Sequence, residues 1–158
     1  MKKVVVLSDT HGNVSDLKKI ADILKECDII FHLGDGYHDL DALGLDILKK
    51  TVRVVGNCDA VTGEREILTD VEGVRVLLTH GDLYGVKRDK TRLFLRAKET
   101  GASVAFYGHT HAKNIEIADG ITIANPGNLH RYSAEKSFIY AVFQNGKATL
   151  TINDKAFI

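Results

Sequence analysis

Two closely spaced histidines are the residues of this chain whose types and spacing most clearly indicate chemistry. His109 and His111 lie in the segment 107–111, directly after the apolar run 102–106. At the end of a β-strand, residues i and i+2 point to the same side of the chain. Two imidazoles presented in this way can grip a metal ion.

Four further polar clusters lie upstream, and each follows a short apolar run rich in β-branched residues. In an open α/β sheet, sites form outside the carboxyl ends of the strands, so we expect all the clusters to meet at one such edge. The seven candidate metal ligands in these clusters are Asp9, His11, Asp35, Asn57, His80, His109 and His111.

This ligand set indicates two metal ions. Seven ligands are too many for a single zinc ion, which takes four, but they suit two ions that share a bridging carboxylate. Oxygen and nitrogen donors without thiolate favour manganese, iron, zinc or nickel. Two divalent ions, two aspartates and a bridging hydroxide leave a charge of about +1, which attracts an anion such as a phosphate ester. The two ions would lower the pKa of the bridging water toward ~7, as in a metal-dependent hydrolase.

The elements that must position these residues follow two different patterns. The first third of the chain predicts strands at 4–7, 29–33 and 52–55. It also predicts a helix that begins after Asn13 and a less regular helical stretch over 39–50. This strand–helix alternation implies a parallel sheet with right-handed crossovers.

The rest of the chain predicts hairpins around short turns such as Asp119-Gly120 and Asn145-Gly146. The paired strands are 65–71 with 74–79, 114–118 with 121–124, and 138–144 with 148–152, with a helix over 89–98 and a strand over 102–107. We therefore expect an antiparallel C-terminal third and two sheets packed face to face, with helices outside.

Length and charge narrow the classes of function. A chain of 158 residues fits one domain, residues 1–158. The 21 basic and 21 acidic residues give no net charge, which argues against a long nucleic acid or an anionic membrane as partner. No run approaches the ~20 apolar residues of a membrane span, and nothing indicates an oxidising compartment, so we expect a cytoplasmic protein. Homo-oligomerisation stays open.

The five polar clusters resemble the five motif blocks of the calcineurin-like metallophosphoesterases, in particular their small single-domain bacterial and archaeal phosphodiesterases. This resemblance implies an α/β fold, a four-layer α/β/β/α sandwich of two mixed sheets. It also implies a division of the ligands. One metal would take Asp9, His11 and His111, the other would take Asn57, His80 and His109, and Asp35 would bridge the two.

The sequence therefore predicts a phosphodiesterase with two divalent ions, manganese first, and nickel, zinc or iron as alternatives. Its substrate would be a small phosphodiester or a nucleotide-like molecule, and its catalytic residues would be Asp35, Asn57 and His109. The alternative is a non-catalytic interaction scaffold of the same fold, like the retromer subunit. The intact ligand set favours the enzyme.

Several residues near the ligands have two interpretations. Many larger family members have a histidine at position 58, which helps to protonate the leaving group; here Cys58 is either a weak proton donor or a small residue that fills space. His38, Cys58 and Asn128 are candidate substrate contacts, and so are His130 and Arg131. The basic segment 87–92 either holds a second anionic group of the substrate or forms a solvated face. His32, within a strand, is expected to be a core histidine with satisfied hydrogen bonds.

Overall fold

Ten strands and four α-helices make up the fold in a computed structural model that describes residues 1–158. The strands are β1 Lys2–Leu7, β2 Ile29–His32, β3 Thr51–Arg53, β4 Glu66–Val71, β5 Val74–Thr79, β6 Val104–Phe106, β7 Asn114–Ala118, β8 Ile121–Asn125, β9 Phe138–Gln144 and β10 Lys147–Asn153. The helices are α1 Val14–Lys19, α2 Ala21–Glu26, α3 Leu45–Leu48 and α4 Thr91–Thr100. No helix has both the length and the apolar character that crossing a membrane requires.

The strands form two mixed five-stranded sheets, in the orders β10-β9-β1-β2-β3 and β4-β5-β6-β8-β7. Valines and phenylalanines on the facing sides of both sheets share one buried core. A second core lies between the first sheet and α1–α3, and a third lies between the second sheet and α4. These layers confirm the predicted α/β/β/α sandwich.

Strand β1 illustrates why the central strands lack a polar alternation. Val4 and Val6 pack toward the second sheet, whereas Val5 and Leu7 pack toward the helices. A strand that is covered on both faces needs apolar residues at consecutive positions. Such strands end abruptly where the sequence becomes polar, and the first polar residues after β1 are Ser8 and Asp9.

The expectation of an antiparallel C-terminal third is confirmed within the hairpins β7–β8 and β9–β10, but it is wrong for the pairing of β8 with β6. Strand β6 is parallel to both of its neighbours, β5 and β8. The last hairpin, β9–β10, belongs to the first sheet, where β9 lies antiparallel to β1. Turn residues specify the pairing within a hairpin, but the strand that the hairpin then meets depends on packing far away in sequence.

Two of the predicted helices are also more broken than expected. The first is split into α1 and α2 at Ile20, whose φ of −103° departs from helical geometry. The second consists of a 3₁₀ turn, Asp39–Leu43, followed after Gly44 by the short α3. Apolar residues at helical spacing can cover one face equally well across a break, so periodicity alone does not detect it. Asn13 caps α1, since its side chain accepts from the backbone N–H of Asp16.

Candidate metal centre

Six of the seven predicted ligands form two adjacent groups, on loops that follow β1, β2, β5 and β6. Asp9, His11 and His111 form what we call the outer cluster, and Asp35, His80 and His109 form the inner cluster. Within each cluster, the potential ligand atoms lie within 4.8 Å of one another. Three such donors from distant parts of the chain are a suitable partial coordination shell for a divalent ion.

Asp9 is built to leave one carboxylate oxygen free inside the site. Its Oδ2 accepts hydrogen bonds from Ser8 Oγ at 2.5 Å and from the backbone N–H of His109 at 2.9 Å. Its Oδ1 is buried without a hydrogen-bond partner, 3.1 Å from Nε2 of His111. Burial alone would raise the pKa of Asp9, but the imidazoles of His11 and His111 hold it well below its usual range. A buried, ionised and unpartnered oxygen fits a cation.

Asp35, a member of the inner cluster, also faces the outer cluster. Its Oδ1 accepts from the backbone N–H of Cys58 at 2.8 Å. Its Oδ2 lies 3.3 Å from Nε2 of His80 and 3.9 Å from Nε2 of His11. Asp9 Oδ1 also approaches His80, but only to 4.0 Å. The Asp35 carboxylate therefore presents one oxygen to histidines of both clusters.

The imidazoles of each cluster point their ring nitrogens at one another. His109 Nδ1 lies 3.2 Å from His80 Nε2, and His11 Nε2 lies 3.3 Å from His111 Nε2. His80 Nδ1 lies 2.8 Å from the Leu33 carbonyl, to which it donates, so its Nε2 faces Asp35. Burial would lower the pKa of His80, but the Asp35 carboxylate raises it. Protons and a metal ion therefore compete for this nitrogen as the pH falls.

The backbone of the ligand residues is strained. The φ angles of five ligand residues are positive: Asp9 55°, His11 44°, Asp35 56°, His109 69° and His111 60°. The other non-glycine residues with positive φ are Glu72, Asp119 and Asn145, which lie in the hairpin turns. Left-handed backbone is uncommon outside glycine, although aspartate, asparagine and histidine tolerate it best, and it concentrates at functional sites. Sequence reasoning did not anticipate this strain.

Asp59 connects the loop that carries Asp35 to the loop that carries Asn57. Its Oδ2 accepts from the backbone N–H groups of Asp35 and Gly56, both at 2.8 Å. Its Oδ1 accepts from Gly36 at 2.9 Å and from Tyr37 at 3.1 Å. Burial would raise the pKa of Asp59, but these backbone donors lower it. Asp59 thus holds Asp35 in its left-handed conformation, a role that the sequence did not reveal.

Close approach of the two loops also explains Gly56. A Cβ at this position would meet the Asp35 carboxylate and lie 2.5 Å from the Asp35 backbone nitrogen. A glycine is needed here because any side chain would push the loops apart. A Gly-Asn signal in a sequence can therefore mark a loop that packs its backbone directly against a ligand.

Asn57 and Cys58 are exposed beside the inner cluster. The Asn57 amide nitrogen lies 3.6 Å from Cys58 Sγ, while the Cys58 backbone contacts Asp35. Burial and then the charge of Asp35 raise the pKa of the Cys58 thiol. The thiol therefore stays protonated at neutral pH, and no group holds it as a thiolate.

Two of the predicted substrate contacts, Asn128 and His38, have hydrogen-bond or ion-pair partners within the chain. Asn128 is only 2% exposed; its amide donates to the backbone carbonyl of His111 at 2.9 Å, and its Oδ1 accepts from His130 N–H. A side chain engaged in this way positions the last candidate ligand loop, and its contact with substrate stays a prediction. His38 is exposed, with Nδ1 2.9 Å from Asp41. Neither side chain is part of a ligand cluster.

His130 lies next to the outer cluster. Its ring centroid is 5.1 Å from that of His11, and the ring of Tyr132 lies 5.9 Å beyond it. Tyr132 is 86% exposed, although it is a large aromatic residue. The two rings line an open cavity of ≈ 570 Å³ that His111 also lines.

His32 is a core histidine with satisfied hydrogen bonds, as expected. Its Nδ1 accepts from the backbone N–H of Gly34 at 3.2 Å, and its Nε2 lies 3.0 Å from Thr10 Oγ1. Thr10 in turn donates to Asp39. Burial lowers the pKa of His32 to about 4. This histidine links the loop of Asp9 and His11 to the loop of Asp35.

The fold and this ligand geometry define a metallophosphoesterase. Residues 1–147 match the calcineurin-like phosphoesterase superfamily domain, and the chain belongs to this superfamily. A probable metallophosphoesterase of Bacillus subtilis is 32% identical over 97% of this chain and 91% of its own length. A protein of Methanocaldococcus jannaschii named as a phosphodiesterase is 22% identical over 82% of this chain and 86% of its own length.

Solved structures show the same fold. A predicted phosphoesterase from Streptococcus pneumoniae superposes with a TM-score of 0.82, at 22% identity, over 97% of this chain and 89% of that one. Wild-type Vps29 from Entamoeba histolytica, solved in complex with Zn²⁺, superposes with a TM-score of 0.74, at 18% identity, over 96% of this chain and 98% of that one.

Proposed function

We propose that this chain is a metal-dependent phosphodiesterase with two divalent ions, for which manganese is our first choice. The observation that carries the proposal is the Asp35 oxygen near histidines of both clusters, together with the unpartnered buried oxygen of Asp9. Two divalent ions bound here would lower the pKa of a shared water toward ~7 and offset the charge of the phosphoryl oxygens.

The chain's own residues would have distinct tasks. Asp9, His11 and His111 would hold one ion; Asn57, His80 and His109 would hold the other; and Asp35 would contact both. Asp59 would keep Asp35 in place through its four backbone hydrogen bonds. Asn57 would bind through its amide oxygen, since its amide nitrogen lies 3.6 Å from Cys58 Sγ.

The surroundings favour diesters over monoesters. With two aspartates as its anionic ligands, the loaded site keeps a charge of about +1 after a hydroxide binds, which suits a monoanionic diester better than a dianionic monoester. No histidine occupies position 58, so good leaving groups should react fastest. The His130–Tyr132 rings offer a stacking surface for an aryl or nucleotide-like group beside the outer cluster. The phosphodiesterase relative in M. jannaschii agrees with this preference.

The competing function is a non-catalytic interaction scaffold. The likeness in fold to Vps29 is the reason to consider it. The two functions differ in what the metal centre does. A scaffold needs no hydrolysis, even if it binds a metal. Cytoplasmic location and self-association stay predictions under either function.

The test is a metal-reconstituted hydrolysis assay. Protein stripped with chelator is loaded separately with manganese, zinc, nickel or iron, and its metal content is measured by elemental analysis. We expect about two ions per chain and faster hydrolysis of bis(p-nitrophenyl) phosphate than of p-nitrophenyl phosphate. Asp9→Asn should abolish the hydrolysis of both esters, whereas the exposed control Asp46→Asn should leave it unchanged. Two bound ions without hydrolysis of any ester would favour the scaffold.

A further inference from the structure

A cavity of ≈ 680 Å³ adjoins the last ligand loop on the second-sheet side. Thr110, the residue between His109 and His111, forms part of its wall. Three lysines from two separate segments also line it: Lys87, Lys90 and Lys113. Two lysines of the basic segment after His80 therefore line a cavity beside the loop that carries His109 and His111.

Two of the three lysine charges in this cavity have no ion-pair partner. Lys87 and Lys90 have no carboxylate within 4.0 Å, and Lys113 pairs with Asp154 at 2.8 Å. Glu116 is the one acidic residue in the lining, and its carboxylate accepts from the Asn114 amide at 3.1 Å. Because the whole chain has no net charge, the three lysines are a local concentration of charge and not part of a general basic surface.

The wall that carries the lysines is fixed by buried neighbours. Val86, directly before Lys87, is 2% exposed and packs in the core beneath α4. Tyr107, also buried, has its hydroxyl 3.4 Å from the Asn114 amide. Thr110 Oγ1 accepts from Asn125 at 2.9 Å. The lysines are therefore carried on segments that are packed against the core beside the loop of His109 and His111.

We propose that this cavity binds a second phosphate group of the substrate, while the scissile diester lies at the metal centre. The inference rests on the proposed function and names its substrate class: a phosphodiester that carries another phosphate, as in a nucleotide bisphosphate derivative. Lysine ammonium groups bind phosphate as point charges without demanding one geometry. The attraction must weaken at high salt, because exposed charges are screened.

The experiment compares two substrates that differ by one phosphate. These are the p-nitrophenyl ester of thymidine 5′-phosphate and the same ester with a 3′-phosphate. In the manganese-loaded protein, we expect kcat/KM to be at least about tenfold higher for the 3′-phosphorylated ester. The double substitution Lys87→Gln, Lys90→Gln should reduce this preference to less than about twofold and leave the unphosphorylated ester unchanged. Lys49→Gln, Lys147→Gln is the matched control, since both lysines are exposed and outside the cavity lining.

A binding measurement separates this inference from the proposed function. Calorimetry would compare thymidine 3′,5′-bisphosphate with thymidine 5′-phosphate, in wild-type protein and in the double variant, at low and high salt. Tighter binding of the bisphosphate that depends on Lys87 and Lys90 would support the cavity even if no ester is hydrolysed. Equal binding of the two nucleotides, or a preference that the double variant retains, would overturn it.

Discussion

The outer and inner clusters contain the same kinds of ligands but differ in exposure. In the inner cluster, the side chains of His80 and Asp35 are 0% and 3% exposed, and His80 is oriented by the Leu33 carbonyl. In the outer cluster, His11 and His111 are 21% and 40% exposed. Asp9, in contrast, is fully buried beneath them.

This difference suggests a division of labour. A ligand that is held by a second hydrogen bond is already oriented for its metal, so the inner cluster should bind its ion more tightly. The outer cluster opens toward the His130–Tyr132 rings and should exchange its ion and admit substrate more easily. The predictions below test this contrast, from the largest expected effect to the smallest.

Asp35→Ala should remove the difference between the two clusters, because it should weaken the binding of both ions. Asp35 presents one oxygen to His80 and His11, and its negative charge would offset the repulsion between two cations. We expect the loss of both bound ions and at least about a 1000-fold fall in kcat/KM, ~4 kcal/mol. Calorimetric titration with manganese measures the stoichiometry, with Asp46→Ala as the control. Two ions bound at unchanged affinity would show that Asp35 does not bridge.

His80→Ala and His111→Ala should affect the two clusters unequally. Each removes one imidazole, but His80 is buried and oriented, whereas His111 is the most exposed ligand histidine. Loss of a residue that only supports a ligand already costs about 10–100-fold in metal affinity, so His80→Ala should weaken one site by more than about 100-fold. His111→Ala should weaken the other site less. Equal losses in parallel titrations would contradict the proposed ranking.

Asp59→Asn tests how far metal binding at the inner cluster depends on the backbone hydrogen bonds that Asp59 accepts. An amide offers one acceptor oxygen where the carboxylate has two, and its NH₂ group would face backbone donors. We expect about a 10–100-fold loss of metal affinity at the inner cluster. A merely structural effect would lower the melting temperature and leave metal affinity at both clusters unchanged.

The positions of the candidate ligands were predictable, because polar residues that follow buried strands lie at the edge of the sheet. The role of Asp59 was not, since its partners are backbone N–H groups of loops that meet only in the folded chain. The left-handed backbone of His109 and His111 was equally hidden, because no glycine marks those positions. Hairpin turns such as Asn145-Gly146 were visible locally, but the sheet that β9–β10 joins was not.

His32 connects the loops of the two clusters and should make the metal-free fold sensitive to acid. Burial lowers its pKa to about 4 from 6.5, so the unfolded chain binds this proton first as the pH falls. The free energy of unfolding should therefore decrease between about pH 6.5 and pH 4, by about 3 kcal/mol in total from this group. His11 and His80, whose pKa values are raised, contribute in the opposite direction. Denaturant titrations of the wild type and of His32→Asn measure the free energy of unfolding of each protein. The difference between the two values gives the contribution of His32.

If the acid sensitivity comes from His32, the difference between the two unfolding free energies should vary with pH in that window and be constant above about pH 7.5. In the His32→Asn variant, the amide oxygen of the new side chain can still accept from the backbone N–H of Gly34, which keeps the loop connection while removing the titrating ring. Parallel pH profiles for the two proteins would assign the acid sensitivity to other groups.

Cys58→Ala should have the smallest effect, although Cys58 lies beside the inner cluster. Its thiol pKa is raised by burial and by Asp35, so it is a poor acid toward a departing alkoxide. We expect less than a tenfold loss of kcat/KM, under ~1.4 kcal/mol, and the same loss for aryl and alkyl diesters. Because an aryl oxide departs without protonation and an alkoxide does not, a hundredfold loss confined to alkyl diesters would identify the thiol as the proton donor. A loss of more than tenfold for both kinds of diester would instead indicate that the Cys58 backbone has moved away from Asp35, which manganese stoichiometry would detect separately.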